Sequence, residues 1–84
     1  MASVDAATRA AWSEHPDQMV GLILRVEGDV LERATALEER GVQVRRRLKL
    51  TNSISVRCSA REALGLLRLA WIKRVEPDSP VRAL

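Results

Sequence analysis

Residues 53–77, "SISVRCSAREALGLLRLAWIKRVEP", decide the fold. Ile54, Val56 and Cys58 alternate with Ser55 and Arg57, the two-residue period of a strand with one buried face. At Ser59 the period changes. Ser59 followed by Glu62 is a capping box, and Ala63, Leu64, Leu67 and Ala70 then recur at helical spacing over 59–70. Gly65 weakens this helix slightly. "WIKRVEP" (71–77) returns to strand character and stops at Pro77, which cannot donate to a ladder and therefore marks an edge strand.

The preceding residues repeat the pattern. In "MVGLILRVEG" (19–28), Val20, Leu22, Leu24 and Val26 share one face, Gly21, Ile23 and Arg25 the other, and Gly28 breaks the run. "DVLERATALEERG" (29–41) reads as a helix with Asp29 as N-cap, Glu32 completing a capping box, Val30, Ala34 and Leu37 on one face and Gly41 as the residue after its end. "VQVRRRLKL" (42–50) alternates again. Val42, Val44, Leu48 and Leu50 face inward, Arg46 is the exception in that register, and Gln43, Arg45, Arg47 and Lys49 face outward. "TNS" (51–53) is a turn.

The order β-α-β-β-α-β predicts an α+β, ferredoxin-like sandwich: a four-stranded antiparallel sheet in the order 4-1-3-2 with two helices on one face. The domain spans 19–78. Residues 1–18 form an Ala-rich lead segment, either a short helix capped by Ser3 and ended by Pro16 or a frayed terminus. Residues 79–84 form an extended tail, since Pro77 and Pro80 bias the chain away from helix.

Composition narrows the function classes. The 84 residues make one domain at most, with 46% hydrophobic and 30% charged residues, as in a folded chain rather than a disordered one. There are two Trp and no Phe or Tyr, so the core is aliphatic. Cys58 is the single cysteine, which excludes an internal disulfide and a Cys-rich metal site. No charged segment leading into an apolar run opens the chain, and its apolar stretches fall short of the roughly 20 residues that span a bilayer. These features set the expectation of a cytoplasmic protein, with secretion beside a partner left open.

The chemistry-bearing residues are few. His15 lies in the lead segment beside Pro16. Cys58 falls on an inward strand face with no His partner in the pattern, and reads as a small core hydrophobe. There is no phosphate-binding glycine loop, H-E-x-x-H or C-x-x-C. The expectation is a non-enzyme with no cofactor and no metal. The formal charge of +3 comes mostly from arginine. Arg25, Arg45, Arg47 and Arg57 are expected on the open sheet face, together with Lys49. Sheets that bind RNA stack bases on exposed aromatics, which this face lacks, and that argues against nucleic acid.

Residues 19–84 resemble the propeptide-like inhibitors of subtilisin-type serine proteases. The specific match is Ile72–Asp78, "IKRVEPD", against that family's V-x-x-V-E-P-D signature, preceded by "SISVRCSAREALGLLRLA". In the family, the open sheet face packs on two parallel surface helices of the protease. Two acids after the last strand cap the N-termini of those helices, and the C-terminal tail lies in the substrate cleft like a product. The resemblance implies that Glu76 and Asp78 are the capping acids, since a helix N-terminus carries unsatisfied N–H groups and partial positive charge. It implies that Val81, Arg82, Ala83 and Leu84 occupy the cleft, with Leu84 in the primary specificity pocket. It implies inhibition and, as in the propeptides, assistance to protease folding. Segment 1–18 and the basic sheet face have no counterpart in the family pattern. Two other readings stand beside it: a protein-interaction or oligomerisation module that self-associates, and a nucleic-acid binder working through the basic face.

Overall fold

The computed structural model describes residues 3–78. Its elements are α1 (Ala6–Glu14), β1 (Met19–Val26), α2 (Val30–Glu39), β2 (Gln43–Leu48), β3 (Ser53–Ser59), α3 (Ala60–Leu66) and β4 (Ile72–Pro77). The four strands form one antiparallel sheet in the order β2-β3-β1-β4, which is the expected 4-1-3-2 order read from the other edge. The chain is thus an α+β, ferredoxin-like fold with one helix beyond the expected pair.

The helix-covered face of the sheet holds the core. Leu22, Leu24 and Val26 of β1, Ile54, Val56 and Cys58 of β3, and Ile72 and Val75 of β4 are buried there. Ala34 and Leu37 of α2, with Ala60, Ala63 and Leu66 of α3, close over them. Burial of the Cys58 side chain raises its thiol to about 11, and Glu62 adds to the effect, so it is a poor nucleophile at neutral pH.

Local chemistry sets each boundary. Asp29 caps α2 by accepting from the Leu31 N–H at 2.8 Å. At the other end the Gly41 N–H reaches Glu38 O at 3.0 Å and the Val42 N–H reaches Leu37 O at 3.1 Å, a Schellman closure that needs the left-handed φ of +90° at Gly41. Ser59 and Glu62 form the full capping box on α3. That helix ends at Leu66, short of the expected Ala70. Past Gly65 the chain tightens into i→i+3 turns, with the Arg68 N–H on Gly65 O and the Leu69 N–H on Leu66 O, both at 3.1 Å. Leu66 takes the inward place expected of Ala70, which is exposed.

Within the lead segment, Ala6–Glu14 form a helix that packs onto the core. Its cap is Asp5 rather than Ser3: Asp5 Oδ1 accepts from the Thr8 N–H at 2.7 Å. The hydrogen bonds from Thr8 hold the Asp5 carboxyl below its ordinary value of 3.8. The cap therefore contributes fully above that value and is lost as pH falls through the lowered one. α1 packs on α3, and Trp12 is buried within the core cluster. The connector after α1 also satisfies the first N–H groups of α3, with Ala60 N on Gln18 O at 2.8 Å and Arg61 N on Pro16 O at 3.0 Å.

Asn52 ties the β2–β3 turn to the end of β1. It adopts a left-handed φ of 54°, and its Nδ2 donates to Val26 O and Gly28 O. Asn52→Ala loses both bonds and the residue type that tolerates this φ, and is expected to cost about 2 kcal/mol. Urea unfolding of the two proteins checks this. A difference below about 0.5 kcal/mol would show that the turn carries no such role.

Candidate interaction face

The other face of the sheet is open: among the described residues no helix covers it. A bulge in β2 decides what it displays. Val44 pairs with Val56, Arg46 pairs with Ser55, and Arg45 is the extra residue between them. From that point the inward and outward sets exchange. Arg47, expected on the open face, sits opposite the inward-facing Ile54 and reaches Glu38 of α2 at 3.2 Å. Leu48, expected inward, pairs with Ser53 on the open face, and Leu50 is fully exposed at 103%. Arg46, the misfit in the expected inward register, joins the open face, because a charged side chain is far cheaper to leave in water than to bury.

Strand register lays three rows across this face. One runs Gln43, Arg57, Gly21 and Asp78, and the last of these donates its N–H to Gly21 O at 2.9 Å. The second runs Arg46, Ser55, Ile23 and Glu76. The third runs Leu48, Ser53, Arg25 and Arg74. The two central strands carry small side chains here, Gly21, Ser53 and Ser55, so the face is troughed along its middle. Two depressions result, of about 290 Å³ and 360 Å³, both with Ile23 and Leu48 in their lining. Gly21 keeps the trough low: a side-chain carbon there would lie 3.5 Å from Asp78 O.

The structure brings together five of the six expected site residues that lie within the described range. Arg25, Arg45 and Arg57 are exposed on the open face; Arg47 is not on it. Glu76 and Asp78 also lie on it, two residues apart on the β4 side and therefore about 7 Å apart along the strand. Glu76 forms an exposed ion pair with Arg74 at 3.0 Å. Asp78 accepts from Ser55 Oγ at 3.1 Å across β1. Both carboxylates keep acceptor positions beyond these contacts. Val81, Arg82, Ala83 and Leu84 lie outside the described residues. Lys73 turns to Glu27 at 3.5 Å.

Neither tryptophan reaches this face. Trp12 is in the core, and Trp71 lies beneath the Arg33 guanidinium, 4.8 Å from its ring centre, with its carbonyl accepting the Glu27 N–H. A base-stacking platform is thus missing among the described residues. No group of three His, Cys, Asp or Glu side chains among them is placed to hold a metal ion, and no helix is long and apolar enough to cross a membrane. Compared with protein-family models, with curated proteins and with solved structures, the chain matches none.

Ser55, Arg46 and Leu48 are residues of this face that sequence reasoning missed. Ser55 reads as an ordinary solvent-facing serine until the register places it opposite Ile23 and beside Asp78. Arg46 carried a signal, its misfit in the expected inward register, but a bulge position is not fixed by alternation alone.

Proposed function

We propose that this domain inhibits a subtilisin-like serine protease, and assists its folding, by docking the open sheet face on two surface helices of the enzyme. Glu76 and Asp78 accept hydrogen bonds from the helix N-termini, and the segment after Asp78 is delivered to the substrate cleft. The observation that carries this reading is the placement of the two acids. They share one face, Glu76 on the edge strand and Asp78 just past its end, beside a trough floored by Gly21, Ser53 and Ser55. Helix N-termini present exposed N–H groups and about half a positive charge, so two carboxylates at this spacing suit two helices lying side by side. The Ser55 hydroxyl holds the Asp78 carboxylate over the trough. The Arg74 pair with Glu76 is exposed on both sides and costs little to exchange for a partner.

Removing both carboxylates tests the docking. A helix cap is worth about 1 kcal/mol, so Glu76→Ala with Asp78→Ala is expected to weaken inhibition of subtilisin about 30-fold. The unfolding midpoint should stay close to that of the parent. A change in the inhibition constant below threefold, in a protein that remains folded, would remove the two acids from the interface.

A further inference from the structure

The bulge in β2 changes what the open face can hold. In a regular strand, consecutive side chains point to opposite faces. Here Arg46 pairs with Ser55, Arg45 is the extra residue beside it, and both line the depression of about 290 Å³. Bulges recur next to active sites, where they re-aim a side chain in this way. The rest of the lining is Ile23, Leu48, Ser55 and Asp78. Asp78 is held at two points: its N–H donates to Gly21 O at 2.9 Å, and its Oδ2 accepts from Ser55 Oγ at 3.1 Å. Ser55 is only 5% exposed, and its hydroxyl oxygen keeps acceptor capacity after that bond. Among the described residues, neither arginine forms an ion pair, and nor does Asp78. Opposite charges therefore line one depression without closing on each other.

We infer that this depression binds a small zwitterion, a free α-amino acid with an aliphatic side chain. Its ammonium donates to the Asp78 carboxylate and the Ser55 hydroxyl. Its carboxylate accepts from the guanidinium groups of Arg45 and Arg46, and its side chain lies on the half-buried Ile23 and Leu48. Charge decides the class. A simple anion gains the arginines but meets Asp78, and a simple cation gains Asp78 but meets two guanidinium groups. A zwitterion matches both, whereas a residue inside a peptide chain carries neither charge. Size agrees: the depression lies at the small end of ligand sites, which run from about 300 to 1,000 Å³. Arg57, Arg74 and Glu76 stand outside the lining, and the last two are paired with each other. The site shares Asp78 with the docking surface proposed above, but it does not rest on a protease partner.

Titration of L-leucine into the ¹⁵N-labelled chain tests it, with isocaproate and isoamylamine as the counterparts that lack the ammonium or the carboxylate. Leucine is expected to shift the amides of Ile23, Arg46, Ser55 and Asp78 along one saturable curve. Each counterpart is expected to bind about tenfold more weakly or worse, because it loses a charge-assisted contact and leaves the opposing charge unmatched. Asp78→Asn, nearly unchanged in shape, should weaken leucine by about tenfold and remove its advantage over isocaproate. Arg45→Gln with Arg46→Gln should remove its advantage over isoamylamine. Urea midpoints confirm that each variant is folded. Isocaproate or isoamylamine binding as tightly as leucine, no saturable shift with leucine, or full affinity for leucine in folded Asp78→Asn overturns the inference. None of these readouts involves subtilisin, so failure of the amino-acid site and failure of protease inhibition are read separately.

Discussion

Replacing Trp12 by alanine is expected to lower the stability of the domain by about 3–5 kcal/mol. Trp12 is 6% exposed and is the one aromatic side chain inside an otherwise aliphatic core. Its removal leaves a cavity between α1, α3 and the sheet that small neighbours such as Ala60 and Ala63 cannot fill. The cost spreads further, because α1 and its connector hold the N-terminus of α3 through the carbonyls of Pro16 and Gln18. A domain of this size holds about 5–10 kcal/mol in total, so Trp12→Ala should bring it close to unfolding at 37 °C. Urea denaturation followed by circular dichroism measures the change. A loss under 1 kcal/mol would mean that α1 is an ornament on a fold that stands without it.

Changing Ile23 to lysine is expected to leave the fold intact and to weaken protease inhibition at least 100-fold, about 2.7 kcal/mol. Ile23 and Leu24 are neighbours on opposite faces. Leu24 is completely buried, whereas Ile23 lines both depressions of the open face. A lysine at Ile23 keeps its ammonium in water in the free domain. On docking, that charge is trapped at the centre of the interface between Ser55 and Glu76, and desolvating it is costly. Inhibition assays and urea midpoints on the same preparations separate the two effects. Unchanged inhibition would move the interface off this face, and a large drop in stability would show that Ile23 belongs to the core.

The strand and helix order was legible because the local signals agree with one another. Strict alternation in β1 and β3, a capping box at Ser59 and glycine at the end of α2 all point to the same elements, and a sequence with such agreement specifies its fold. Two parts were not legible. The first is α1: an Ala-rich segment with a single buried residue has no strong apolar stripe, and only the packing of Trp12 distinguishes it from a frayed end. The second is the far half of β2. One extra residue, Arg45, exchanges the two faces, so Arg47 goes to Glu38 on α2 and Leu48 comes to the open face. The acids of the candidate site were legible as a pair from "VEPD". Their relation to Ser55, Gly21 and Arg46 was not, because it depends on register between strands distant in sequence.

The most direct measurement is the titration of subtilisin activity with the purified, folded chain, followed over hours. Stoichiometric loss of activity, with slow recovery as opened domains are digested, is the expected result. Full activity in the presence of excess folded chain would contradict the proposal that this domain inhibits subtilisin-like proteases.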